Sequence, residues 1–472
     1  MLLIKLNDTI ELKIEKLTPT GEGLARFGEE KFVVFVIGAL PEEKIKAKIT
    51  SLNKHFAHAQ IVEIIEQSKF RTKPICPLYN ACGSCNLGNV EYDYLIEQKT
   101  SILKELFCDL IDEKNIFDVI KSPQIQEYRH KIQYPCRQTK NSKRILMGYF
   151  KTNSHDLTNI KFCPLQPSFI AEITQYLRDN FEFDCYDEKR DKGLLKNVLY
   201  RVSNHSKDTF LTFVLNCDEK NYKKYYEDKF LAFSKKLSSK YPNIVGIFAN
   251  LNNKKTNKIT SDLTLKIFGE DCLIETLENE IQTKKYKISA DSFFQVNPKS
   301  AVELFEIVRK NIKEKSSVLD AYGGVGAIGI WVSDKANKIT LVEENSSACD
   351  MAKENFKLNN IENFEIFSGD ATKHFESFKK ENKIFDYIIL DPPRSGCEEK
   401  GLKDIAPLAK NIIYVSCNPM TLKRDTKTLI NCGFKPEFLQ GVDMFPYTNH
   451  IESVVLFTKN KAETLVFGLN WT

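Results

Sequence analysis

The stretch SSVLDAYGGVGAIGI, residues 316 to 330, decides the fold. A short apolar run ending on Asp320 passes into a glycine-rich loop and then into an apolar segment of helical character. Strand, glycine loop and helix in that order form one unit of a parallel sheet with crossover helices. The same alternation continues outward, with strands expected at KITLVE (338–343), FEIFS (364–368), FDYIIL (385–390) and NIIYVS (411–416), helices between them, and a last VVLF strand from about 453. Sheets of this kind bind ligands beyond the carboxyl ends of their strands. Those ends carry Glu343, Asp370, Asp391 and Cys417.

Upstream, residues 8 to 66 alternate β-rich runs (TIELKIEKL, KFVVFVIGALPEEKIKAKIT, HAQIVEII) with Gly, Pro and charged turns, which predicts a small closed barrel of the oligonucleotide-binding type. A loop with three cysteines follows at 70–91, then helical spacing from about 92 to 114, then a mixed α+β region through 285. Three domains are expected: 1–66, 67–285 and 286–472, with the helical part near 92–121 packing on the last of them. At 472 residues the chain has room for several cores, and 42% hydrophobic with 28% charged residues fits a globular protein. No run of about 18 apolar residues occurs, so no spanning helix is expected, and charges interrupt the opening MLLIKLNDTIELKI, which argues against a signal peptide. A cytoplasmic protein without membrane contact is the expectation. Thirteen cysteines, an odd number, argue against a disulfide framework and for metal-bound, reactive or buried thiols. The net charge of +5 is compatible with a polyanionic partner and decides nothing alone.

Gly324, Gly326 and Gly329 spell G-x-G-x-x-G, and Glu343 ends the next strand about twenty residues on, where a ribose hydroxyl could donate to it. Taken literally this is a nicotinamide dinucleotide site. The acidic rim formed by Asp370 and Asp391 instead suits an adenosine cofactor that presents a sulfonium cation, as S-adenosylmethionine does. Cys417 stands just before a helix start marked by Asn418 as N-cap and Pro419 as first residue. The helix dipole, with Lys423 and Arg424 in the early turns, is expected to lower its pKa and favour thiolate.

The segments SADSFFQVNP, VLDAYGGVGAIGI, DPPRSG, YVSCNPMTLKRD and DMFPYTNHIES together resemble the RNA uracil-5-methyltransferase family, and the match extends upstream to the cysteine cluster and to an N-terminal barrel of the TRAM kind. The resemblance implies an α/β fold: a Rossmann-like class I methyltransferase domain preceded by a TRAM/OB-like barrel and a central α+β domain with a four-cysteine site. It implies S-adenosylmethionine as methyl donor, contacted by Gln295, Tyr322, Glu343, Asp391 and Asp370, and Phe293 stacking on the target base. It makes Cys417 the nucleophile that adds to carbon 6 of uracil and Glu452, in the HIE triplet, the base that removes the carbon 5 proton. A base inside a stem cannot reach a thiolate, so the nucleotide must be flipped or unpaired.

Cys76, Cys82 and Cys85 have C-x5-C-x2-C spacing and Cys163 follows in FCPLQ, with Cys136 as a competing fourth ligand. Four thiolates hold zinc or an iron–sulfur cluster. The resemblance favours a [4Fe-4S] cluster, acting as a structural clamp. Cluster plus barrel resembles the enzymes acting on 23S ribosomal RNA more than those acting on transfer RNA, and no obligate protein partner is evident. Arg129 and Lys131 in YRHK are candidate phosphate contacts. A dinucleotide oxidoreductase would leave SCNP and HIE unexplained. A noncatalytic RNA-binding iron–sulfur protein would leave the capped thiol unused.

Overall fold

The structure, a computed structural model, describes residues 4–139, 144–152, 154–256 and 258–459. The chain first forms a closed five-stranded barrel of β1 (Thr9–Leu17), β2 (Gly23–Phe27), β3 (Phe32–Ile37), β4 (Lys44–Leu52) and β5 (Phe56–Glu66), in the order β1-β2-β3-β5-β4. Period-2 alternation turns Leu12, Ile14, Val34, Val36, Ile45, Ala47 and Ile49 into the barrel core. The long run 31–50 divides into two strands at a turn where Gly38 takes φ +76°, a left-handed conformation that favours glycine.

The cysteine loop leads to α1 (Tyr92–Phe107) and β6 (Ile116–Ile120). The central region then builds a seven-stranded sheet from β7 (Lys131–Gln138), β8 (Ile145–Phe150), β9 (Leu157–Asn159), β10 (Leu195–Val202), β11 (Thr209–Leu215), β12 (Ile244–Leu251) and β13 (Thr264–Gly269). It also contributes α2 (Ile170–Asn180), α3 (Glu219–Tyr225) and α4 (Glu227–Lys240). The hairpin β14 (Leu273–Glu278) and β15 (Thr283–Ile288) bridges to the last region.

There α5 (Pro298–Lys310), β16 (Ser316–Ala321), α6 (Ala327–Trp331), β17 (Ala336–Glu343), α7 (Ser346–Leu358), β18 (Phe364–Ser368), α8 (Ala371–Lys380), β19 (Phe385–Leu390), α9 (Glu399–Ile405), β20 (Ala409–Ser416), α10 (Pro419–Asn431), β21 (Phe434–Val442) and β22 (Glu452–Lys459) follow in sequence. The sheet order is β18-β17-β16-β19-β20-β22-β21-β6. The first five are parallel, and β22 runs antiparallel between β20 and β21. Strand order reverses between β16 and β19, which opens a crevice beyond their carboxyl ends. All six strands read from the sequence here are present. Strand β21 was not anticipated: Pro436, Gly441 and three polar residues break its alternation, and its register shifts between Pro436 and Phe438.

Helix α1 packs on this sheet, where Leu95, Leu103 and Phe107 join Ile412, Tyr414 and Leu439 in one apolar cluster, and β6 pairs with β21. A buried ion pair fixes the joint. Lys99 Nζ lies 2.7 Å from Asp443 Oδ1 and also donates to the His450 carbonyl at 2.8 Å, while the Tyr92 hydroxyl donates to Asp443 Oδ2 at 2.8 Å. Both side chains are shut off from water. Asp443→Ala is therefore expected to cost about 3–5 kcal/mol, because it strands a buried ammonium. Lys99→Met with Asp443→Leu should cost much less. Urea denaturation of the three proteins measures the difference.

Candidate active site

Cys417 follows the last residue of β20, and Asn418 caps α10 by accepting from the Met420 N–H at 3.1 Å, with Pro419 as first helical residue. Ser416 pairs with Ser453 in the antiparallel ladder between β20 and β22. That register sets Glu452, first residue of β22, across from Cys417. Glu452 is 5% exposed, not a surface carboxylate.

Near both lies Arg394, whose positive charge pulls on the Cys417 thiol and on Glu452 alike. One Arg394 nitrogen donates to His450 Nδ1 at 2.8 Å. Burial and Arg394 hold His450 down to about 4, so the ring is neutral and free to accept. The loop carrying Arg394 is tied to α10: Asn418 and Thr421 side chains donate to the Arg394 carbonyl, and Arg424 donates to the carbonyls of Ser395 (2.9 Å) and Cys397 (3.0 Å). Gly396, at φ +74°, sits where a Cβ would come within 2.6 Å of Asp425 and Arg424. Sequence reasoning chose Asp391 from DPPRSG and passed over Arg394, three residues on in the same motif, and over His450 beside Glu452.

The expected depression of the Cys417 pKa is not found. Burial and the nearby Glu452 carboxylate push the thiol up to about 11, against the pull of Arg394. The two cations expected to lower it are engaged elsewhere: Lys423 pairs with Asp109 at 2.8 Å and Arg424 with Asp425 at 2.7 Å. The cation that serves this thiol is Arg394.

The remaining strand ends form an acidic rim. Asp320, buried at the end of β16, accepts from the Gly329 N–H at 2.9 Å, and a Cβ at Gly329 would sit 2.8 Å from its carboxylate. Glu343 accepts from the Gly324 N–H at 3.0 Å and the Asn345 N–H at 2.8 Å, which locks the glycine loop onto β17. Burial pushes Asp391 up to about 7; burial, with Asp391 and Glu343 nearby, does the same to Asp320; burial and Asp391 push Glu452 up to about 8. Each carboxyl holds its proton more tightly folded than unfolded. Ionising them as pH rises from about 4 to 8 costs fold stability, and a bound cation would offset that cost.

Tyr322, at φ +63°, directly follows β16, and burial, with Cys397 and Asp370 nearby, pushes its hydroxyl up. Asp370 is exposed and caps α8 through the Thr372 N–H at 2.8 Å. Phe293 and Gln295 lie in the loop between β15 and α5. The Phe293 ring is 68% exposed; Gln295 lines a small pocket with Arg201 and Glu275.

Cys76, Cys82, Cys85 and Cys163 line one pocket, with Arg129 and Tyr149 on its wall. Cys136 is buried in the central core instead. Burial pushes Cys85 up to about 12 and Cys163 to about 11, and the other thiols of the pocket add to both. Among the described residues no three Cys, His, Asp or Glu side chains meet at single-ion spacing. The four soft thiols line one space beside a guanidinium. The loop they stand on is bound to the active-site loop: the Leu87 N–H donates to the Tyr447 carbonyl (3.1 Å), the Asn449 N–H to Asn86 Oδ1 (3.1 Å), and Asn449 Nδ2 to the Pro19 carbonyl of the barrel (2.8 Å). No described helix is long and apolar enough to cross a membrane.

Comparison with known proteins agrees with this geometry. The family model described as tRNA (Uracil-5-)-methyltransferase matches residues 91–460, and that of the TRAM domain matches 5–62. An uncharacterized RNA methyltransferase of Halalkalibacterium halodurans is 33% identical over 96% of this chain and 97% of its own, and one of Clostridium acetobutylicum is 33% identical over 97% and 98%. The solved structure of Pyrococcus abyssi tRNA (uracil-54, C5)-methyltransferase in complex with S-adenosyl-L-homocysteine superposes with a TM-score of 0.73 at 23% identity, over 95% of this chain and 100% of that one. A methyltransferase fold, an amino-terminal TRAM barrel and thiol, guanidinium and carboxyl gathered at adjoining strand ends coincide, and the chain belongs to the S-adenosylmethionine-dependent RNA uracil-5-methyltransferase family.

Proposed function

We propose that this enzyme methylates carbon 5 of a uridine in 23S ribosomal RNA through a covalent adduct on Cys417. The observation that carries the covalent route is the register that sets the Cys417 thiol across from the Glu452 carboxyl at the ends of β20 and β22, with the Arg394 charge acting on both. S-adenosylmethionine, when bound, supplies an electrophilic methyl group on a cationic sulfur. Glu343 and Tyr322 are assigned to its nucleoside side, Asp391 and Gln295 to its remaining contacts, and Asp370 to the adenine edge.

Phe293, largely exposed, stacks on the flipped uracil. Arg394 favours the thiolate by offering a charge-assisted hydrogen bond. The sulfur adds to carbon 6, and the electron pair of the 5,6 double bond moves onto carbon 5 and the adjoining carbonyl. Once carbon 5 carries its methyl group, Glu452 takes the hydrogen there as a proton. The freed pair re-forms the 5,6 double bond, and Cys417 leaves as thiolate. A carboxyl pushed up to about 8 is a stronger base than an ordinary glutamate and is matched to neutral pH. Neutral His450 holds Arg394 in line without competing charge.

Cys76, Cys82, Cys85 and Cys163 are assigned to a [4Fe-4S] cluster, supported by their common pocket. It would clamp the loop that holds residues 447–449. The assignment of ribosomal over transfer RNA rests on the combination of this cysteine set with the barrel.

Radiolabel from S-adenosylmethionine should enter ribosomal RNA of a strain lacking this enzyme and not its transfer RNA; label confined to transfer RNA would overturn the target. Cys417→Ala should give neither label nor adduct. Glu452→Gln should lose at least about 100-fold in product release and accumulate a protein–RNA adduct visible by denaturing electrophoresis. Titration calorimetry should show S-adenosylmethionine binding strengthening from about pH 6 to 8 as Asp391 and Asp320 ionise. S-adenosylhomocysteine, without the sulfonium charge, should respond less. Anaerobically purified protein should contain iron and acid-labile sulfide in equal amounts, with Cys163→Ser losing both. Stoichiometric zinc would refute the cluster.

A further inference from the structure

A cleft of about 560 Å³ crosses the open face of the central sheet. Its floor is β7, where period 2 turns Lys131, Gln133, Pro135 and Arg137 to one side. Cations and rings alternate along it: Arg137 lies 5.8 Å from the Phe150 ring centre and Lys196 lies 5.0 Å from that of Tyr186. Its far end is closed by Val296 and Phe445, which belong to the loops carrying Phe293 and His450. Arg129, the neighbouring candidate, stands with Tyr149 between this cleft and the cysteine pocket and lines both.

At that same end Lys131 pairs across the ladder with Arg201 of β10, so two like charges stand side by side. Such pairs are destabilising unless something neutralises them. Arg201 is 7% exposed; it donates to the Ser292 carbonyl, next to Phe293, and its Nε has no partner. Among the described residues neither cation has a carboxylate at ion-pair distance. Asp291 is held by the Thr264 hydroxyl at 2.9 Å, and Glu275 by the N–H groups of Asn204 and Thr276. Burial, with Arg201 beside it, lowers Lys131 to about 8, and burial lowers Arg201 to about 10. Asp291 acts on both cations and Glu275 on Arg201, each from beyond ion-pair distance, and the Arg201 Nε donor stays without a partner.

We infer that this cleft is a track for single-stranded RNA and that Lys131, which lines it, binds a backbone phosphate beside the nucleotide stacked on Phe293, with the buried Arg201 adding its charge from behind. The inference rests on the RNA-methylating reading above and names where the substrate strand runs. A space of this size admits about one or two nucleotides, not the cross-section of a duplex. Its alternation of cations with aromatic faces is the composition that single strands bind.

The test is fluorescence anisotropy with a labelled short oligouridylate and, in parallel, a short RNA duplex, each over a range of salt. Lys131→Gln and Arg201→Gln should each weaken oligouridylate binding several-fold and reduce the slope of log K against log salt by about 0.7. Lys229→Gln, an exposed change on α4, should leave it unaltered. S-adenosylmethionine affinity should not change. Should Arg201→Gln fold poorly by thermal melting, Lys131→Gln decides alone. Wild-type slopes in Lys131→Gln would overturn the proposal, as would an equal loss of duplex binding. Neither readout needs methyl transfer. RNA that accepts label with unaltered slopes would sink the track alone, and slope loss without methylation would sink the proposed activity alone.

Discussion

The antiparallel register of β20 against β22 is the constraint on which the site depends. With Ser416 opposite Ser453, the thiol at the end of one strand and the carboxyl at the start of the other share one small volume. A shift of one residue would turn each side chain to the other face of the sheet. Buried valines and isoleucines on both strands fix that register, since Ile412, Ile413, Val415, Val454 and Val455 lie entirely within the two apolar layers around the sheet. Packing energy in the core thus determines geometry at the rim.

Charge at the rim runs against stability. Asp320, Asp391 and Glu452 crowd together where burial makes ionisation costly, and Cys417 adds a fourth group whose ionisation burial opposes. Among the described groups Arg394 is the cation that reaches both the thiol and the Glu452 carboxyl. Such strain is what a site for a cationic methyl donor requires, because the free energy held against the empty arrangement returns as affinity for positive charge. A pyrophosphate would meet repulsion at the same place.

Much of this was legible in the sequence, for identifiable reasons. The strands from Ser316 onward are continuous apolar runs bounded by turns, and burial on both faces is what makes such runs readable. Asn418-Pro419 announced a helix start correctly, because capping is local chemistry. What could not be read was long-range. The sequence neighbours Lys423 and Arg424 were credited to Cys417, whereas Lys423 pairs with Asp109, in the turn after α1 and some three hundred residues earlier. The burial of Glu452 and the partnership of Arg394 with His450 depend on contacts that no local pattern encodes. Strand β21 hid because its proline and glycine break the alternation.

The position of β22 also bears on biosynthesis. This strand is inserted between two that precede it in the chain, and every other described element is made before it. A ribosome translating the message can extrude the barrel, the cysteine loop and the parallel strands while the slot between β20 and β21 stays open. Until β22 slides into that slot, Glu452 does not stand across from the thiol. The thiol and the carboxyl are therefore brought together only once the strand made last among the described elements has taken its place in the sheet.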